Sequence, residues 1–270
     1  MRAYILTDLE GVCGVASDKE LSASGDAPAY QRARSRQLAE INATIRGLKA
    51  AGADDILVYN GHGPAWDLPP ELLERPARLV AGHPVEDGLP GLDDSFNAFC
   101  VIGQHAMAGD AAGVLDHTGS NLHYQDMILN DKPVGEFGLS ALLAGEYNVP
   151  TVLASGDRAL CVEAKDLVPG IYTVETKAGL SRNAAIHRHP ADVCDELEQQ
   201  AKLALEGASH TRPPKMDPPY DLTVKCGSPV SIQRNRMVPG IEIVDSRTYR
   251  IKAGDLASVM RLLMLTGWIV

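Results

Sequence analysis

The N-terminal stretch ILTDLEGVCG (residues 5–14) closes an apolar run with two carboxylates, Asp8 and Glu10, separated by Leu9. In extended backbone alternate residues project to one side, so the acids sit together and Leu9 faces away. Neighbouring carboxylates repel, and burying them unpaired is costly. A divalent cation relieves both problems. So does a solvated loop in which the acids cap a helix or pair with arginine, and the pair alone does not choose. Gly11 and Gly14 suit a close approach of backbone to a ligand.

Other polar residues sit at comparable places. His62 lies in NGHGP after a strand-like run, and the FCVIG strand ends in Gln104-His105. Asp157 ends TVLASG, and Glu136 opens the helical segment EFGLSALLAGEYN. Each has a plain alternative: an exposed loop histidine at 62, a hydrogen-bonded core histidine at 105, and a carboxylate complementing a helix dipole at 136. Asp8, Glu10, His62 and His105 together make the mixed nitrogen–oxygen set that suits zinc or a similar transition ion. The acids are too few for an all-oxygen calcium cage.

His117 and His123 fall in the loop VLDHTGSNLHYQD, where a histidine near a metal can hold or relay a proton. His187 and His189, in IHRHP, read as solvated surface, and His83 before Pro84 takes no role. Trp66 stands where a G-x-G-x-x-G loop needs its third glycine. There is no P-loop, no G-x-S-x-G elbow and no cysteine in a nucleophile motif. The remaining chemistry is metal-assisted hydrolysis, in which a metal lowers the pKa of water and polarises a carbonyl or phosphoryl oxygen.

The elements that must position these groups follow from periodicity. Strands are expected at 2–8, in DDILVYN, at 78–82, in NAFCVIG and at 150–156, with two short strands around an Asn-Asp-Lys turn at 126–134. A helix over 28–51 carries Leu38, Ile41, Ile45 and Leu48 on one face and stops at Gly52. Further helices are expected over 136–148, through Cys161 and Ala164, and near 190–206. The Pro-rich 211–220 is extended, 221–226 and 241–251 are strand-like, and Asp255 starts a helix with Leu256, Val259, Met260 and Leu263 on one side. The alternation predicts an α/β fold: three layers, a mostly parallel or mixed sheet with helices on both faces, plus a smaller C-terminal α+β part. Residues 1–165 are expected to form the metal-binding catalytic domain and 166–270 the smaller part. In such a sheet ligands collect beyond the carboxyl ends of the strands, where Asp8, Glu10, His62, His105 and Asp157 all fall.

With 25 basic against 35 acidic residues, the chain carries a net charge of −10, which argues against nucleic acid and favours cations. Five cysteines without C-x-x-C spacing read as reduced thiols of a cytoplasmic protein. Asp8 and Glu10 interrupt the only apolar N-terminal run, and no window matches a membrane helix.

Five segments, YILTDLEGVCGV, NGHGPAWDL, GLDDSFNAFCVIGQHAMAG, GVLDHTGS and LNDKPVGEFGLSALLAGEYNVPTVLASGD, resemble in order the motifs of the M55 metallopeptidase family of DppA-type D-aminopeptidases. The resemblance covers residues 3 to about 158 well and the rest only by layout. It implies two zinc ions held by Asp8, Glu10, His62, His105 and Glu136, with Asp8 bridging, and a catalytic role for His117. It implies removal of N-terminal residues, D-Ala among them, from short peptides, and a ring-shaped decamer enclosing the sites. Leu9 replaces the family's usual Met. Tyr59-Asn60 replaces an Asn-Asp pair whose acid would orient the metal site. The loop from His105 to His117 is one residue longer than in the founding member. The residues alone leave two other readings open: another binuclear hydrolase of amides or phosphoesters, and a peptide-binding protein without turnover.

Overall fold

A computed structural model describes residues 1–63, 65–82 and 88–267; His83 and Pro84 lie outside the described residues. In chain order the elements are β1 (Arg2–Thr7), α1 (Ala23–Ala50), β2 (Asp55–Asn60), β3 (Arg78–Val80), β4 (Ala98–Gln104), β5 (Tyr124–Leu129) and β6 (Lys132–Pro133). There follow α2 (Glu136–Glu146), β7 (Thr151–Asp157), α3 (Arg158–Leu167), β8 (Tyr172–Ser181), β9 (Ala184–His187) and α4 (Pro190–Glu206). The chain continues through β10 (Tyr220–Cys226), α5 (Pro229–Asn235), β11 (Ile241–Ile243), β12 (Thr248–Ala253) and α6 (Leu256–Leu265).

Seven strands form one sheet in the order β3-β2-β1-β4-β7-β8-β9, parallel except for β9. The alternation in β1 explains the layers. Ala3 and Ile5 enter a core with Ile41, Ile45 and Leu48 of α1 and Val193 and Leu197 of α4. Tyr4 and Leu6 enter a second core with Phe137 and Leu139 of α2, and with β10, β12 and α6. Each fully buried Val, Leu, Ile or Phe among these contributes about 1.5–3 kcal/mol. The fold is α/β with helices on both faces, as expected. The remaining strands form an antiparallel sheet, β11-β12-β10-β5-β6. The sheets cross the expected division near residue 165 in both directions: β8 and β9 complete the first, while β5 and β6 join the second.

From β1 the chain builds outward through β2 and β3, then returns to place β4 on the other side of β1. The carboxyl ends of β1 and β4 therefore flank a topological switch point, where an open α/β sheet leaves a crevice. Two glycines let the chain pack tightly there. Gly103 has φ +73°, and a Cβ on it would lie 2.6 Å from the Asp8 carbonyl oxygen. A Cβ on Gly11 would lie 1.9 Å from the Gln104 carbonyl oxygen. A side chain at either position would push the loop after β1 away from the end of β4.

Candidate metal centre

Asp8 and Glu10 follow β1, His62 follows β2, His105 follows β4, and Glu136 is the first residue of α2. His117 reaches the same crevice from the loop between β4 and β5. All six expected site residues converge, and Asp8, Glu10, His62 and His105 are buried. His123 lies farther out, lining the cleft and bonded through Nδ1 to Ser120. His187 and His189 are exposed, on β9 and at the N-cap of α4.

The imidazoles are oriented by main-chain carbonyls. His62 Nε2 lies 2.9 Å from the Leu21 oxygen, so Nδ1 faces Asp8 Oδ1 at 3.2 Å and Glu10 Oε2 at 3.0 Å. His105 Nδ1 lies 2.9 Å from the Ala106 oxygen, and its Nε2 stands 3.4 Å from both Asp8 Oδ2 and Glu136 Oε1. His117 Nδ1 lies 2.8 Å from the Leu115 oxygen, with Nε2 3.7 Å from Glu136 Oε1. The rings of His105 and His117 stack, with centroids 3.8 Å apart. A backbone carbonyl on one ring nitrogen fixes the tautomer and leaves the other nitrogen's lone pair for the site.

The carboxylates are held as well. Gln104 Nε2 donates to Asp8 Oδ2 at 2.8 Å and to Glu136 Oε2 at 3.3 Å. The Gly119 N–H donates to Glu136 Oε1 at 2.7 Å, and Gln37 Nε2 donates to the Asp8 carbonyl oxygen at 3.0 Å. Gln37 and Gln104 were not singled out from the sequence. Gln37 carried a signal: it precedes Ile41 by one helical turn, so it is a polar residue on the core stripe. Asn60, which stands where the family pattern has Asp, donates through Nδ2 to Asp67 Oδ1 at 3.1 Å. Arg34 links Asp67 to Gln37, completing a chain of contacts from half-buried Asp67 to the Asp8 carbonyl.

Burial, and then the neighbouring Glu10, push the Asp8 carboxyl up to about 7. Glu10 is equally buried, yet His62 holds it well below the ordinary carboxylate range. Burial opposes charge on His105, but Glu136 and Asp8 raise it to about 10, and His105 in turn brings buried Glu136 down to about 2. Burial and then the His105 charge lower His117. Without a cation the cluster thus shares protons to keep its charges apart. Metal binding to such a set releases those protons.

The residues fit a metal. Asp8, Glu10 and His105 offer ligand atoms within 4.8 Å of one another, as do His105, His117 and Glu136. Glu10 Oε2 and His105 Nε2 are buried and make no well-aligned hydrogen bond despite close neighbours, an arrangement that suits ligation better than proton sharing. On the solvent side a cleft of about 380 Å3 opens over Glu10, His62, His117 and Glu136, with Arg182 and Ser120 on its walls. Peptide-sized ligands bind in clefts of this order.

The D-aminopeptidase family model, M55 among the peptidases, matches residues 1–265. A D-aminopeptidase of Bacillus subtilis strain 168 is 29% identical over 269 residues, covering 98% of this chain and 96% of the relative. The solved structure of the Zn-dependent D-aminopeptidase DppA from Bacillus subtilis, described as a self-compartmentalizing protease, superposes with a TM-score of 0.92 at 28% identity. That superposition covers 98% of this chain and 96% of the other. The motifs at the strand ends, the fold that gathers them and the match along the whole chain agree: this protein belongs to the M55 D-aminopeptidase family.

Proposed function

We propose that the protein is a zinc-dependent aminopeptidase that removes N-terminal residues, D-amino acids such as D-Ala included, from short peptides. The observation that carries this reading is the convergence of three carboxylates and three imidazoles, with ligand atoms turned inward, at the floor of an open cleft. Asp8, Glu10, His62, His105 and Glu136 would hold two zinc ions, and the two oxygens of Asp8 face different imidazoles. Bound zinc supplies Lewis acidity toward the scissile carbonyl and an acidified water.

The chain's own residues do the rest. Glu10, His62 and Glu136 border the cleft and set where a peptide's amino end can lie. His117 is tied by Leu115 so that Nε2 faces the site, where it can stabilise an oxyanion or give a proton to the leaving amine. Burial, and then the neighbouring His105 charge, lower its pKa, which favours the neutral imidazole.

A ring-shaped decamer and a cytoplasmic setting belong to the same proposal. The first is supported by the self-compartmentalizing relative, the second by five cysteines that are all free thiols. Among the described residues no helix is long and apolar enough to cross a membrane. Hydrolysis of D-Ala and L-Ala dipeptides and of amide and phosphoester substrates, with and without chelator, tests the activity. Chelator-sensitive release of an N-terminal residue is expected. Cleavage confined to the other substrates, or peptide binding without turnover, would contradict the proposal.

A further inference from the structure

Lys177 lies on β8, outside the cluster of proposed ligands, and is fully buried. A buried ammonium is costly unless all three of its donors are engaged. Here they are. Nζ donates to the carbonyl oxygens of Glu10, of Val12 at 3.0 Å and of Val15 at 2.6 Å. The residue before it adds a fourth tie: Thr176 Oγ1 donates to the Gly11 carbonyl oxygen at 2.6 Å. The β7–β8 register shifts between Gly156 and Asp157, opposite this pair, and such an irregularity re-aims side chains.

The four carbonyls belong to the loop that carries Glu10. In a plain turn several would bond to water or to a following helix. Here they converge on side chains from a strand more than 160 residues away in sequence. The opposite side of the loop is fixed too, by the Gly11 N–H to the Gly103 carbonyl and the Cys13 N–H to Glu40 Oε1. The Glu10 side chain leaves this cage with Oε2 3.0 Å from His62 Nδ1.

We propose that Lys177, assisted by Thr176, is a positioning residue for the metal centre: it acts as an internal cation that gathers the carbonyls of residues 10–15 and so fixes where the Glu10 carboxylate points. Lys177 touches neither the cleft nor a proposed ligand atom, so it acts through the loop. The inference rests on the metal-centre reading above.

The test uses full-length metal-free protein, with zinc affinity measured by competition against a chromophoric chelator and the visible spectrum recorded after loading with cobalt(II). Lys177→Met is expected to weaken zinc binding roughly 10- to 100-fold and to change the cobalt spectrum, while Lys177→Arg, which keeps a cation and its donors, recovers part of the affinity. Val193→Ala, in the core on the α4 side of the sheet, lowers the melting temperature but leaves affinity and spectrum unchanged, which separates lost stability from lost position. If Lys177→Met does not fold, Thr176→Val reports on the same loop, with an expected loss of about fivefold. Wild-type affinity and spectrum in folded Lys177→Met, or in Thr176→Val in its place, overturn the proposal while leaving the metal centre intact. A wild-type protein that binds neither zinc nor cobalt overturns both.

Discussion

The carboxyl edge of the parallel sheet holds two buried polar clusters, and they are built on opposite principles. Around the ends of β1, β2 and β4, Asp8, Glu10, His62, His105 and Glu136 face one another, leaving Glu10 Oε2 and His105 Nε2 without a well-aligned hydrogen bond. At the end of β7 and beside it in β8, Asp157 and Lys177 have their hydrogen-bonding atoms engaged. Asp157 Oδ2 accepts from the Val114 N–H at 2.6 Å and Oδ1 from the Leu160 N–H at 2.9 Å, while Lys177 fills its three donor positions. A satisfied cluster lowers the energy of the fold as it stands. An unsatisfied one, with its ligand atoms turned toward a cleft, leaves room for a further partner. Proximity to the strand ends does not separate the two; the hydrogen-bond inventory does.

The sharpest way to break this contrast is to remove one acid from each cluster. Asp8→Ala is expected to abolish metal binding and peptide hydrolysis yet to change the stability of metal-free protein little, because the buried carboxyl that repels Glu10 also accepts from the Leu9 N–H and Gln104. Asp157→Ala is expected to do the reverse. It leaves two buried N–H groups and uncaps α3, at a cost of about 2–4 kcal/mol seen in denaturant unfolding of metal-free protein. If both substitutions lower metal-free stability alike, the distinction fails.

A smaller effect is expected at Gln104, which touches Asp8 and Glu136 without being a proposed ligand. Gln104→Ala should weaken zinc affinity about 10-fold in a competition titration, with zinc stoichiometry kept. Smaller again is a pH effect at Glu40, whose carboxyl burial pushes up to about 7 from an ordinary 4.5. Between those values the folded state binds more protons than the unfolded state, so stability falls as pH rises through the window and stays lower above it. Glu40→Gln, whose amide oxygen still accepts from Cys13, should remove that slope. Thermal melts should then show a gain of a few degrees at pH 8 and little at pH 4.5. The smallest change is expected for His189→Ala, exposed and capping α4 through a 3.2 Å contact to the Ala191 N–H. It should cost about 1 kcal/mol or less in unfolding and leave turnover untouched.

The sequence was most readable where one residue type admits few environments. Acids two apart after an apolar strand, and histidines directly after two more, led to the right edge of the sheet, and the ordered motifs led to the family. Glu136 and His117 were candidates from the residues, but their roles as ligand and catalytic group came only with the resemblance, because an acid at a helix start and a loop histidine each have common solvated roles. Strand β8 was missed: the sheet buries Val174, Thr176 and Lys177 in it, and two of those three are polar. A buried lysine breaks the apolar pattern that marks an interior strand, and only the carbonyls of a distant loop make its burial intelligible. Gln37 and Gln104 were passed over for a similar reason, since a buried amide declares itself through its partners rather than its spacing.

Zinc binding is the property on which the proposed chemistry depends. Calorimetric titration of metal-free protein with zinc, run beside His105→Ala, measures this directly. Two ions per chain in the wild-type protein, and loss of tight binding in the variant, are the expected result. Absence of zinc binding, or equal affinity and stoichiometry in both proteins, would contradict it.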